Sequence, residues 1–160
     1  MFRLAKRTKD GTDLLKSQLF DERTFYGTFA KDLRKTKKKI IIESPYATER
    51  RALQFARLFK KLNKRGVKVV IYTRHPKSHG KLLQIQSWLA IRVLKENKVR
   101  VMLCGDMRHR KLAMIDEEIL WEGSLNILSQ FNSQEIMRRT RSPSLCKQML
   151  RFTGINRWKW

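Results

Sequence analysis

The stretch KIIIESPYATERRALQFARLFKKLNKRGVKVVIYT, residues 39–73, decides the fold. It opens with the apolar run KIIIES (39–44), which reads as a buried strand, and SPYAT breaks it. Thr48 stands where a helix N-cap belongs. Ala52, Phe55, Ala56, Phe59 and Leu62 then recur at spacings of three and four, the stripe of a helix over 49–64. KRG closes that helix, with Gly66 in place for the left-handed C′ position. VKVVIYT (67–73) is a second apolar strand.

Working outward, Asp21 is placed to cap a helix running to about Thr36, with Phe25, Phe29 and Leu33 on one stripe. Downstream, the polar loop RHPKSHG leads into a helix over 81–96, with Leu82, Ile85, Leu89 and Val93 as its expected apolar face. VRVMLCG (99–105) is a third strand. A hairpin candidate (109–126), a strand EIMRRT (135–140) and a short helix from about Pro143 follow. Strands that alternate with helices and then run together argue for one α/β domain with a mixed sheet flanked by helices. The expected domain spans 21–160, after a basic, weakly patterned segment, 1–20.

A chain of 160 residues, 41% of them hydrophobic, can bury one real core but not two. Its net charge is +23. The excess is spread evenly: residues 1–66 carry 19 Lys and Arg against 7 acids, and residues 67–160 carry 18 against 7. The folded body itself is therefore basic, and its natural partner is a polyanion, above all nucleic acid. Two cysteines, Cys104 and Cys146, with no disulfide framework fit a reducing compartment, and no apolar run approaches a membrane span. The expected location is cytoplasmic, with no membrane partner.

The chemistry is concentrated in RHRKLAMIDEEILWEGSLN, residues 108–126. His109 and Lys111, two apart in a strand, point to one face roughly 6.7 Å apart. A two-residue loop at Glu117 and Glu118 would set His109 opposite Asn126 and Lys111 opposite Ser124, so that all four side chains converge. A three-residue loop would turn Ser124 and Asn126 to the other face. The loop sequence leaves this open, and the chemistry prefers the first. An imidazole beside an ammonium and an amide suits attack on a phosphodiester, with no metal required.

HRKLAMID followed by GSLN resembles the HxKxxxxD and GSxN signature of the phospholipase D superfamily, matched by His109, Lys111, Asp116, Ser124 and Asn126. The resemblance extends over residues 38–140. It takes in IIIESPYATERRALQFARLFKKLNKRGVKVVIYTR and NSQEIMRR, which look like the domains found alone as nucleases or at the tail of DNA helicases. It implies a metal-independent phosphodiesterase that cleaves DNA or RNA through a phosphohistidine, with no cofactor. One histidine attacks phosphorus and a second protonates the leaving oxygen. This sequence has a single motif, and short family members of that kind pair two protomers, so the resemblance implies a twofold homodimer around one phosphate. Asn126 would hold a phosphate oxygen with Ser124 in support, Glu135 would orient the histidine, and Asp116 would be structural. A helicase or another DNA-processing protein is the further partner implied.

Other features are weighed against plainer roles. Arg74, Lys77 and Lys81, in and beside the RHPKSHG loop, and Arg108 and Arg110, beside His109, are the expected nucleic-acid contacts. His75 and His79 are four apart, but Pro76 and Gly80 spoil helical geometry and no further ligand completes a metal set. Glu43 and Ser44, at a strand end, either border the phosphate or form a local turn. Cys104 is expected to be a buried thiol. RKTKKK (34–39) is either a solvated helix end or a nucleic-acid contact. The two tryptophans of INRWKW have three roles open to them: stacking on bases, packing across the dimer, or capping the core. Two other functions compete with the nuclease reading: a non-catalytic nucleic-acid-binding accessory domain, which would have no need of the motif, and a lipid phosphodiesterase, which the charge disfavours.

Overall fold

The computed structural model describes residues 17–155. Its elements, in order, are β1 (Ser17–Asp21), α1 (Phe25–Lys35), β2 (Lys39–Glu43), α2 (Glu49–Lys64), β3 (Lys68–Arg74), α3 (Lys81–Glu96), β4 (Arg100–Cys104), β5 (Leu112–Ile115), β6 (Ile119–Gly123), β7 (Ile136–Arg141) and α4 (Pro143–Thr153). The seven strands form one sheet in the order β1-β7-β6-β5-β2-β3-β4. β2, β3 and β4 run parallel, while β5 pairs antiparallel with β2, and β6, β7 and β1 continue antiparallel. This is the mixed α/β sheet that the alternation of strands and helices implies.

β2 and β3 are buried on both faces, which is why they read as unbroken apolar runs. On one face Ile40, Ile42, Val69, Ile71, Ala113, Ile115 and Trp121 meet Phe25, Phe29 and Leu33 of α1, Phe55 and Phe59 of α2, and Leu94 of α3. On the other, Ile41, Val70, Tyr72, Met114 and Leu120 meet Cys146 and Leu150 of α4. Inside the first layer Trp121 Nε1 donates to Asp32 (3.0 Å), whose carboxylate also pairs with Arg139 (2.7 Å). That contact clamps α1 onto β6 and β7.

α2 matches its expected span and ends as the sequence implies. Gly66 has φ 81°, its N–H bonds Asn63 O, and Val67 N–H reaches back to Leu62 O (3.1 Å), a Schellman cap sealed by two buried side chains. Four local expectations change. Asp21 does not open α1. Its carboxylate accepts from Arg23 N, Thr24 N and the Thr24 hydroxyl, forming a turn ahead of a helix that starts at Phe25. Thr48 occupies the N-cap position of α2, but its hydroxyl faces Leu128 O (3.4 Å) instead of a helix amide. Residues 17–21 are an edge strand on β7, so the sheet begins inside the segment read as weakly patterned.

The fourth change concerns α3, which has the expected span but turns a different face inward. Ser87, Ala90, Ile91, Val93 and Leu94 are buried, whereas Leu82 is 77% and Ile85 58% exposed. Small residues at 87 and 90 let α3 lie close to α2 and the loop before it, with Ser87 Oγ donating to Ala47 O (3.2 Å). Close approach outweighs side-chain hydrophobicity here. No described helix is long and apolar enough to cross a membrane. The C-terminal tryptophans lie outside the described residues.

Candidate active site

The carboxyl ends of the parallel strands β2, β3 and β4 carry Glu43, Arg74 and Cys104. β5 runs antiparallel to β2 with Leu112 beside Glu43, so the segment just before it, which carries His109 and Lys111, lies at that same edge. Ligand sites of open α/β sheets lie at this edge.

The hairpin register is not the one that the chemistry preferred. Ile115 pairs with Ile119, leaving a three-residue loop, Asp116–Glu118, and Leu112 pairs with Glu122. Gly123 N–H then donates to Lys111 O, which puts Gly123, and not Ser124, beside Lys111. Two contacts fix this register. Asp116 adopts φ 53°, and its carboxylate accepts from the backbone N–H groups of Lys37, Lys38 and Lys39 (2.8, 2.8 and 2.9 Å). Gly123 lies so close to β7 that an added Cβ would stand 2.1 Å from Ile136 O, so only glycine fits there. The backbone of the RKTKKK run is thus held by Asp116, and Lys39 Nζ also pairs with Glu117 (2.8 Å).

His109 and Lys111 do come together. The Lys111 ammonium donates to His109 Nδ1 (2.6 Å) and to His109 O (2.6 Å). An ammonium has no acceptor, so Nδ1 is the accepting nitrogen in this arrangement. Burial, the Lys111 charge and the Arg74 charge all lower the His109 pKa below its ordinary 6.5, which favours the neutral imidazole. Burial also lowers the Lys111 pKa, against the opposing pull of Glu135.

The remaining motif residues divide. Ser124 Oγ accepts from Ile136 N (3.1 Å) and Ser124 N donates to Ile136 O (2.9 Å), so the serine extends the β6–β7 pairing. The Asn126 carbonyl receives Ser129 N and Gln130 N, while its side-chain oxygen is buried with no hydrogen-bond partner. Buried amides are normally satisfied, and this one has spare hydrogen-bonding capacity. Glu135 accepts from Ser133 Oγ (2.7 Å), and no hydrogen bond joins it to His109; its influence falls on Lys111.

The flanking arginines are engaged. Arg110 Nε reaches both oxygens of Glu43 (3.1 Å each), and Arg108 pairs with Asp106 (2.6 Å) and Glu43 (3.5 Å). Glu43 is fully buried, so it anchors the segment on both sides of His109 rather than facing a phosphate. Arg108 in particular is paired with two acids. Ser44 accepts from Leu128 N (3.2 Å) and donates to Tyr46 O (2.9 Å), tying β2 to the loop after GSLN. Lys77 and Lys81 are exposed.

His75 Nδ1 accepts from Lys77 N (3.2 Å), while His79 turns toward Tyr46 (ring centroids 5.1 Å). Among the described residues no cluster of three or more His, Cys, Asp or Glu is placed to hold a metal. Cys104 is half-buried rather than buried, its thiol pKa raised by desolvation. Sequence reasoning missed Tyr46, whose ring packs 5.8 Å from His109. The quoted SPYAT break contained it, but nothing in the sequence ties that loop to residue 109.

A family model for the PLD-like domain of cardiolipin synthase matches residues 29–153. The chain belongs to the phospholipase D-like family. The fold of Nuc, a phospholipase D family member from Salmonella typhimurium, superposes with a TM-score of 0.71 at 17% identity, over 85% of this chain and 90% of that one. NucT from Helicobacter pylori gives 0.68 at 22% identity, over 86% and 92%. Phosphatidylserine synthase from Haemophilus influenzae Rd KW20 gives 0.63 at 16% identity, over 88% of this chain but 37% of that one. No curated protein sequence matches the chain. The PLD-like family assignment agrees with the signature at His109, Lys111 and Asp116, and the solved structures share the fold.

Proposed function

We propose that this PLD-like protein is a metal-independent phosphodiesterase that cleaves DNA or RNA, with its active site completed across a homodimer. The observation that carries the reading is the His109–Lys111 pair, an imidazole biased to neutrality in contact with an ammonium, at the sheet edge of a body with net charge +23. A phosphate oxygen entering the site draws Lys111 off the ring. His109 then attacks phosphorus, and an N–P bond forms as the P–O bond to the leaving nucleoside breaks. The leaving oxygen takes its proton from the partner's His109, which next takes a proton from water as that water attacks phosphorus and the N–P bond breaks, freeing His109 from the phosphate. Lys111 and the Asn126 amide neutralise the equatorial oxygens. Once Lys111 has moved, the imidazole proton shifts to Nδ1, where Glu135 accepts a hydrogen bond from it and leaves Nε2 free to attack.

One motif per chain supplies one histidine, so the second comes from a twofold copy. A groove of about 470 Å³ beside Lys111 and Arg110, lined by Leu19, Ile136, Met149 and Phe152, supports this. Phe152 is 80% exposed, an apolar surface next to charges that a second protomer would cover. Arg74, Lys77 and Lys81 guide the polyanion, and a helicase or other DNA-processing protein is the partner class that the sequence resemblance implies. The same groove would suit an acyl chain, which is the one observation favouring a lipid phosphodiester.

The test is cleavage of single- and double-stranded DNA and RNA in EDTA, with anionic phospholipid vesicles as a further substrate and His109→Ala as control. Nucleic acid should be cleaved by wild type in EDTA and not by the folded variant. A variant as active as wild type would remove the catalytic assignment, and turnover of the vesicles alone would move the substrate to lipid.

A further inference from the structure

Arg74 closes β3 and is 7% exposed. One amino group, Nη1, donates to the Tyr46 hydroxyl (3.3 Å), the other, Nη2, meets only the Met107 thioether (3.3 Å), and Nε is buried with no partner. Among the described residues it joins no ion pair; the nearby Glu43 is occupied by Arg108 and Arg110. A buried guanidinium without a counter-charge is costly, and the thioether is a weak acceptor. Met107 is itself 75% exposed, so it covers the guanidinium without being fixed by packing.

His79 sits on the same loop system, and its Nε2 is likewise buried without a partner. It precedes Gly80, the N-cap of the 16-residue α3, which has no side-chain cap and no acidic residue in its first turn. The Tyr46 ring stands between His79, at 5.1 Å, and His109, at 5.8 Å. The cluster is thus adjacent to His109, and no hydrogen bond joins Arg74 or His79 to it.

We infer that Arg74, His79 and Tyr46 form a second phosphate subsite, which holds the phosphate next to the scissile one on the same polynucleotide strand. The inference rests on the reading of His109 as nucleophile toward nucleic acid. A phosphate that displaces the Met107 thioether satisfies the guanidinium with charge-assisted hydrogen bonds and gives the His79 Nε2 a partner. Lys111 and Asn126 serve the scissile group, and Tyr46 spaces the two. The favoured substrate therefore carries at least two phosphodiesters in series, and a single-phosphate diester fills only one subsite.

Two measurements test this. In the first, inorganic phosphate is titrated into His109→Ala protein while the imidazole signals of His79, assigned by their loss in His79→Gln, are followed by NMR. A saturable shift, abolished by Arg74→Gln, is expected. No shift, or the same shift without Arg74, overturns the subsite. This titration needs no catalysis, so it decides the subsite even where wild type cleaves nothing and the proposed function fails.

The second measurement compares kcat/KM on a single-stranded oligonucleotide with that on bis(p-nitrophenyl) phosphate. The ratio should fall about ten-fold in Arg74→Gln and in His79→Gln, the loss of one charge-assisted contact. A ratio unchanged in both folded variants shows that a lone phosphate, and not a neighbouring one, is the only occupant, and overturns the inference.

Discussion

Lys111 does two things to His109: it occupies Nδ1 and it places a positive charge beside the ring. The attacking imidazole must be neutral, so the rate falls as pH drops through its depressed pKa, and it falls again at higher pH as the partner's His109 loses the proton it must donate. The acid limb of kcat/KM should therefore lie below pH 6.5, the ordinary value from which His109 is lowered. Lys111→Gln removes one of the two neighbouring charges, and NMR titration of His109 in that variant should move up toward 6.5. A titration that stays put or moves down would show that the ammonium has no hold on the ring. At this scale the sequence was informative about which residues matter and less so about what holds them. His109, Lys111 and Asp116 announce themselves by spacing. Glu43, anchoring Arg108 and Arg110 from 65 and 67 positions away, and Tyr46, packed on His109, depend on strand order that no local pattern encodes.

The elements were legible wherever one period dominated. α2 and α3 begin and end at the residues that the sequence implies. The hairpin register was not legible, because DEEI carries neither Gly nor Asn. What selects the three-residue loop is Asp116 receiving three amides from residues 37–39, together with the bare approach of Gly123 to β7. The inward face of α3 was missed for a related reason: Ser87 and Ala90 matter by being small, which a hydrophobicity pattern undervalues. The end of α3 also yields a stability prediction. Lys98 holds φ 62° at the position that Gly66 occupies after α2, with Lys98 N–H on Lys95 O and Val99 N–H on Leu94 O. A left-handed lysine costs about 1 kcal/mol relative to glycine. Lys98→Gly should thus raise stability by about 1 kcal/mol, or a Tm gain of roughly 2–4 °C. Thermal unfolding at matched pH and salt checks it, and a lower Tm would contradict the cap assignment.

For the whole molecule, charge and symmetry carry the account. The excess of 37 basic over 14 acidic residues is spread along the chain, so binding to nucleic acid should be driven by counterion release. A plot of log affinity against log salt for a catalytically dead His109→Ala protein should be linear, with a slope of roughly −0.9 per phosphate neutralised on duplex DNA, and should depend little on sequence. An affinity nearly flat in salt would contradict the electrostatic reading. The sheet order, with the motif segment returning antiparallel beside β2, brings His109 to the active edge. The central claim is that two such edges share one phosphate. It is tested most directly by mixing wild-type and His109→Ala protomers under exchange conditions and measuring nuclease activity against the wild-type fraction at constant total protein. Activity should fall as the square of that fraction, because a heterodimer lacks either the nucleophile or the acid. A linear fall, with each wild-type protomer contributing alone, would contradict the shared active site.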